Sequence, residues 1–227
     1  MKQKFTILFD LDGTLVDTAP DLMLAHNHVM RKFGYPTKST EDIRNLVGKG
    51  AGALIGRSIW GQAKKEFSKV LDEKIKDEMV KEFVSFYGKN IVNESTLVTG
   101  VKDFLIWCKE ENISMAVCTN KQEHLSNDLL KKIGIYDFFE YVAGSDTFDY
   151  CKPDPRHLTN VVEILDGDIK KTIMIGDSET DANAAKAAEI PVILLENGYT
   201  EKNTTEIYHN HLIKDFIGIE KIISKYL

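Results

Sequence analysis

The sequence predicts an α/β protein: a parallel sheet with crossover helices, and an all-helical segment inserted after the first strand. Three observations carry this. Five short apolar, β-rich runs recur at Phe5–Phe9, Ser114–Cys118, Tyr141–Ala143, Thr172–Ile175 and Val192–Leu195. Helical patterns lie between the last four, and that alternation indicates parallel strands. The stretch from Asp17 to about Ile91 breaks the rhythm and holds only helical patterns.

Each element has its own signature. Phe5–Phe9 is a buried strand that stops at acidic residues. In the insertion, Leu22, Ala25, Val29 and Phe33 share one helix face, ended by Gly34 and Pro36. Thr40–Val47 and Ala51–Trp60 are shorter helices separated by Gly48-Lys49-Gly50. Ile75, Met79, Phe83 and Phe86 mark a longer helix that Gly88 is expected to end. Beyond it, Val101–Glu110 buries Val101, Phe104, Leu105 and Cys108, and Gln122–Ile133 buries Leu125, Leu129, Leu130 and Ile133. Pro155–Leu165 and the Ala-rich Asp181–Ala188 complete the series, and Trp60 and Trp107 are expected to pack. The expected division is a core of residues 1–17 and 92–227 and a helical cap of 18–91, with hinges near Asp17 and Ile91.

Composition narrows the function. The chain has 227 residues, 29 basic against 35 acidic, a net charge of −6 and a pI near 5.6. Such a surface argues against a nucleic-acid backbone or an anionic membrane as partner, while leaving room for a small anion at a locally positive site. No run approaches the roughly 20 apolar residues of a membrane span, and no secretory leader is evident. Three cysteines, Cys108, Cys118 and Cys151, match neither a zinc site nor a disulfide framework. A reducing cytosol is the expected compartment. Cys118 and Cys151 precede candidate site residues; they read as small buried side chains, with redox sensitivity as the alternative.

Ligands of parallel sheets bind at the carboxyl ends of the strands. Those ends carry Asp10-Leu11-Asp12-Gly13, Thr119-Asn120, and Gly176-Asp177-Ser178-Glu179-Thr180-Asp181, with Lys152 in the loop after Tyr141–Ala143. Asp10, Asp12, Asp177 and Asp181 would gather four carboxylates around one lysine. Like charges at short range demand compensation. A hard dication on oxygen ligands supplies it, and Mg²⁺, which keeps room for phosphate and water, fits better than Ca²⁺. Two aspartates spaced Asp-x-Asp point the same way along an extended segment. One can attack phosphorus while the other serves the leaving oxygen as acid and then water as base. Thr119 and Asn120 can hydrogen-bond phosphoryl oxygens and Lys152 can balance their charge.

These residues resemble the haloacid dehalogenase superfamily, in the phosphatase branch with a helical cap inserted after the first strand of a Rossmann-like core. Its four motifs occur in order: DLDGTLVDT (Asp10–Thr18), the Thr119 of VCTN, the Lys152 of CKPDP, and GDSETD (Gly176–Asp181). The resemblance implies Asp10 as nucleophile, Asp12 as general acid and base, and Thr119 and Lys152 as catalytic residues that hold the phosphoryl group. It implies Mg²⁺ on Asp10, the Asp12 carbonyl and Asp177, with Asp181 and Ser178 supporting them. DTAPDL (Asp17–Leu22), LVGKGAGALIGRSI (Leu46–Ile59) and DANAAKAAEIPVILLENGYT further resemble the phosphoglycolate phosphatases of that branch. The implied substrate is a small phosphomonoester such as 2-phosphoglycolate. Another small phosphate, namely a sugar phosphate, pyrophosphate or nucleoside monophosphate, is the alternative, and a phosphomutase, a phosphonate hydrolase and a non-catalytic binding module are further ones. A monomer or homodimer is expected.

In the cap, the Gly48-Lys49-Gly50 loop is either a plain interhelical connection or a device that lowers a cation onto the substrate. On the second reading Lys49, Gly50 and Arg57 touch substrate; on the first, Lys49 and Arg57 are solvated surface charges.

Overall fold

The computed structural model describes residues 4–63 and 73–227, leaving aside the side chains of 60–63, so the expectation for Trp60 lies outside the described residues. Six parallel strands form one sheet in the order β5–β4–β1–β6–β7–β8. They are β1 (Thr6–Phe9), β4 (Ser114–Cys118), β5 (Tyr141–Ala143), β6 (Thr172–Gly176), β7 (Val192–Leu195) and β8 (His211–Ile213). β1 lies inside, with Thr6 level with Ser114 on one side and Thr172 on the other.

Strand alternation splits the core into two layers. Ile7 and Phe9 face the layer that holds α5 (Val101–Glu110) and α6 (Glu123–Ile133), whereas Leu8 faces α7 (Arg156–Ile164) and α8 (Glu179–Ala187). Small residues at Ala182, Ala184 and Ala185 let α8 lie close on the sheet. Phe9 makes edge contacts with Phe104 and Phe139, at ring-centroid distances of 6.2 and 5.8 Å.

The helical segment comprises α1 (Ala19–Phe33), α2 (Thr40–Arg44), α3 (Ala51–Ala63) and α4 (Glu73–Lys89). Buried His26 joins α1 to α3 through Ser58 Oγ, 2.6 Å away. α4 runs past Gly88 to Lys89, beyond its expected stop. Gly88 leaves space there for Leu125, whose side chain would lie 3.3 Å from an added Cβ. Ile75, expected on the apolar face, is 40% exposed. Among the described residues no helix is long and apolar enough to cross a membrane.

The chain leaves and rejoins the sheet region through a two-stranded antiparallel ribbon that periodicity did not foresee. It pairs β2 (Val16–Asp17) with β3 (Thr96–Leu97). Two residues per strand are too few for an alternating pattern to register. Asp21, in the first turn of α1, secures the returning chain: its carboxylate accepts from the Asn93, Glu94 and Ser95 amides at 2.9–3.0 Å and from Ser95 Oγ at 2.6 Å. Asp21→Ala would orphan these donors at a buried position, an expected loss of about 2–4 kcal/mol in urea unfolding. A loss below about 1 kcal/mol would show that water replaces the carboxylate.

Candidate active site

The carboxyl ends of β1, β4 and β6 converge as the sequence predicts. Asp10 follows β1 directly, and its main-chain N–H donates to the Ile175 carbonyl on β6 at 2.9 Å. Gly13, at φ +82°, turns the next loop tightly against its neighbours: an added Cβ would lie 2.2 Å from Asp177 Oδ2. Ligand oxygens of Asp10, Asp177 and Asp181 all lie within 4.8 Å of one another.

One buried cation stands within this cluster and offsets part of its charge. Lys152 Nζ donates to Asp181 Oδ1 at 2.5 Å and lies 3.0 Å from Asp10 Oδ1. The second contact is a buried ion pair, and Lys152 is the one charged partner of Asp10 Oδ1 among the described residues. Burial, with help from the Asp181 charge and against the pull of Lys152, raises the Asp10 carboxyl to about 6. Asp177 is pushed up strongly by burial and by the Asp181 and Asp10 charges. Burial opposes the Lys152 ammonium, but the two carboxylates outweigh it and raise its pKa.

Asp181 is saturated from both sides. Besides Lys152, its Oδ2 accepts from Ser178 Oγ at 2.8 Å and from the Ser178 and Asp177 amides at 3.1 and 3.2 Å. It therefore caps α8 and holds Lys152 at once, which leaves it little capacity for a cation. Asp177 Oδ2 accepts the Tyr199 amide at 2.6 Å.

The Asp12 carboxylate is not in this cluster. Lys121 Nζ donates to both its oxygens, at 2.8 and 2.7 Å, and Thr18 Oγ1 donates to Oδ1 at 2.7 Å. Lys121 also lies over the Tyr87 ring, 4.6 Å from its centroid. Thr119 and Asn120 stand on the same floor. Asn120 Nδ2 donates to the carbonyls of Gly48, 3.1 Å away, and Lys152, 2.9 Å away. Its donors thus join the insertion to the lysine loop rather than facing the floor.

A cavity of about 290 Å³ opens above Asp10, Asp12 and Thr119. Lys49, Gly50, Asn120 and Lys121 supply polar walls, and Leu22, Val80, Phe83 and Tyr87 apolar ones. Arg57 is not among its lining residues. Its guanidinium donates to the Asn45 and Leu46 carbonyls, 3.1 Å away, and pairs with Glu201. It ties the insertion to the loop after β7, a role between the two expected for it.

The comparisons agree with this geometry. The profile of the haloacid dehalogenase-like hydrolases matches residues 7–195. The chain belongs to this family. A phosphoglycolate phosphatase of Caulobacter vibrioides is 38% identical over 216 residues, spanning 95% of this chain and 89% of that protein. One of Mesorhizobium japonicum is 37% identical over 210 residues, spanning 92% and 90%. A crystal structure from Haemophilus somnus, of a predicted phosphoglycolate phosphatase, superposes with a TM-score of 0.90 at 30% identity, covering 98% of this chain and 99% of that one. A β-phosphoglucomutase of Clostridium difficile shares the fold at a TM-score of 0.78 and 22% identity, covering 98% and 97%.

Sequence reasoning about this haloacid dehalogenase-like hydrolase missed Lys121 and Tyr199. Lys121 follows Thr119-Asn120 directly, yet only the turn after β4 aims it at Asp12. Tyr199 lies over twenty residues beyond Asp177 and reaches it through its main chain, which no side-chain motif reports. At Cys118, burial lifts the thiol to about 12, which favours the packing reading over redox sensitivity.

Lys152→Met would leave three buried carboxylates without their cation, an expected destabilisation of about 3–5 kcal/mol at pH 7 without metal. The Asp10 carboxyl titrates near 3.8 unfolded and about 6 folded, so its ionisation costs stability as pH rises through that interval. Lys152→Met should steepen that decline, and denaturant unfolding from pH 4.5 to 7 measures it; a pH-independent loss would contradict the cluster's energetics.

Proposed function

We propose that this hydrolase is a Mg²⁺-dependent phosphomonoester phosphatase acting through an aspartyl phosphate on Asp10, with 2-phosphoglycolate as substrate. The carrying observation is the Asp10 carboxylate: it lines the cavity, its Oδ1 lies 3.0 Å from the buried Lys152 ammonium, and its oxygens stand within 4.8 Å of those of Asp177. Its relatives' names support the substrate.

The donor set suits a hard dication: all-oxygen, buried, and short of positive charge. Asp10, Asp177 and the Asp12 carbonyl would hold Mg²⁺, with Asp181 and Ser178 orienting them. Bound there, the metal would neutralise the phosphoryl oxygens and the Asp10 carboxylate that meets them.

An Asp10 oxygen attacks phosphorus, forming the aspartyl phosphate as the bond to the leaving oxygen breaks. Asp12 gives its proton to that leaving alkoxide, then takes one from a water that attacks phosphorus and releases phosphate and free Asp10. Asp12 must exchange Lys121 and Thr18 for the leaving oxygen to do so. Thr119 and Lys152 hold the phosphoryl oxygens. Residues 18–91 act as a cap over a core of 1–17 and 92–227, with Lys49, Gly50 and Lys121 on the leaving-group side of the cavity. Closure of the cap excludes bulk water, and its opening releases product.

A phosphate-release screen across small phosphomonoesters, ranked by kcat/KM, tests 2-phosphoglycolate against a sugar phosphate, pyrophosphate and a nucleoside monophosphate.

Asp10→Asn should cut turnover at least about a thousandfold while leaving the unfolding midpoint near or above wild type. Near wild-type kcat in that variant would remove Asp10 as nucleophile. Chelation with EDTA should silence phosphate release and added Mg²⁺ restore it; turnover unaffected by chelator would exclude the metal.

A further inference from the structure

We infer that Tyr199 is a positioning residue that binds the seating of the helical insertion and the geometry of Asp177 into one mechanical unit. The inference rests on the reading of residues 18–91 as a cap.

Tyr199 is 2% exposed, and its groups reach separate segments. Its main-chain N–H donates to Asp177 Oδ2 at 2.6 Å. Its hydroxyl donates to Asp17 Oδ1 at 2.5 Å, on the strand that leaves the core, and accepts the Ala19 amide at 2.8 Å, at the start of α1. Its ring lies against Gly13, where an added Cβ would come within 2.9 Å of Cγ. The Arg44 guanidinium, at the end of α2, stands 5.4 Å from the ring centroid and donates to Asp17 Oδ2 at 2.7 Å. A Cβ added to Gly48 would lie 3.6 Å from the Tyr199 carbonyl, so the Gly48–Gly50 loop also packs on it.

A tyrosine ring has two side-chain torsions, and both its hydroxyl proton and an acceptor lone pair are engaged here. Its hydroxyl and face are thus tied to the insertion and to the strand leading into it, and its amide to the carboxylate of the acidic cluster. A shift of α2 or of Asp17 moves the ring, and the ring carries the amide that fixes Asp177. Filling the core would require only the ring; the paired hydroxyl, the charge on the ring face and the main-chain bond to Asp177 are what coupling requires.

Arg44 touches neither the cavity nor the acidic cluster, which makes R44A the probe. Hydrogen–deuterium exchange of the full chain without ligand reads the Gly176–Asp181 loop directly. R44A should speed exchange there by about threefold or more, and should add nothing further in the Y199F background, the signature of a shared path. With 2-phosphoglycolate and Mg²⁺, Y199F should raise KM by about tenfold while kcat stays within about threefold, because the competent seating becomes less populated. Should Y199F fail to fold, D17A removes the acceptor of the same hydroxyl and takes its place. Unchanged loop exchange in R44A, or R44A and Y199F effects that simply add, would overturn the coupling. A wild-type protein that hydrolyses no phosphomonoester would overturn the proposed function instead, while the exchange comparison, which needs no substrate, would still judge Tyr199.

Discussion

Three carboxylates and one ammonium, sealed together at the end of the central strand, set the terms for the rest of the molecule. Like charges so close repel strongly in a medium that screens poorly. The fold holds them through an unequal division. Asp181 takes the shortest contact with Lys152 and the helix-capping bonds, so its oxygens are fully occupied. Asp10 shares the same ammonium at the longer distance of 3.0 Å. Asp177 is steadied by a main-chain amide at one oxygen. The same residue types therefore take different parts, decided by which lone pairs the scaffold has already used.

That division depends on parallel topology. Because β1, β4 and β6 run the same way and lie adjacent, their following loops reach one edge of the sheet. The helical insertion then leaves from that edge between Asp17 and Thr96 and folds back above it. Its contacts to the core are mixed in character. Arg57 meets Glu201, Asn120 meets the Gly48 carbonyl, and apolar Leu22, Phe83 and Tyr87 belong to the same hydrophobic cluster as Phe9 and Leu129.

Much of this was legible in the sequence. Four of the five expected strands keep their expected start, and the Asp10, Thr119, Lys152 and Asp177 segments meet as the rule for parallel sheets requires. The misses share a physical cause: they are features of few residues or of long reach. β8 is three half-buried residues at a sheet edge, flanked by polar chain, with no periodicity to read. Lys121 carries no motif, and its importance lies in the direction its side chain takes. Arg57 was weighed as a substrate contact or a solvated charge, and carbonyls eleven and twelve residues earlier in the chain, together with Glu201, claim it instead. Local pattern reports what a segment buries; it does not report which distant partner a long polar side chain will find.

The place of β1 in the sheet has a consequence for how the protein is made. Its neighbours, β4 and β6, lie more than a hundred residues further along the chain. On the ribosome the first strand emerges long before either partner exists, and it must wait, apolar and unpaired, through the synthesis of the whole helical segment. The acidic cluster is completed only when Asp177 and Asp181 arrive, long after Asp10. Long-range pairing of this kind slows folding and prolongs exposure of an aggregation-prone strand. An acidic cluster assembled from segments so far apart in the chain is thus also a checkpoint: a polypeptide that stops short of Asp181 cannot form it.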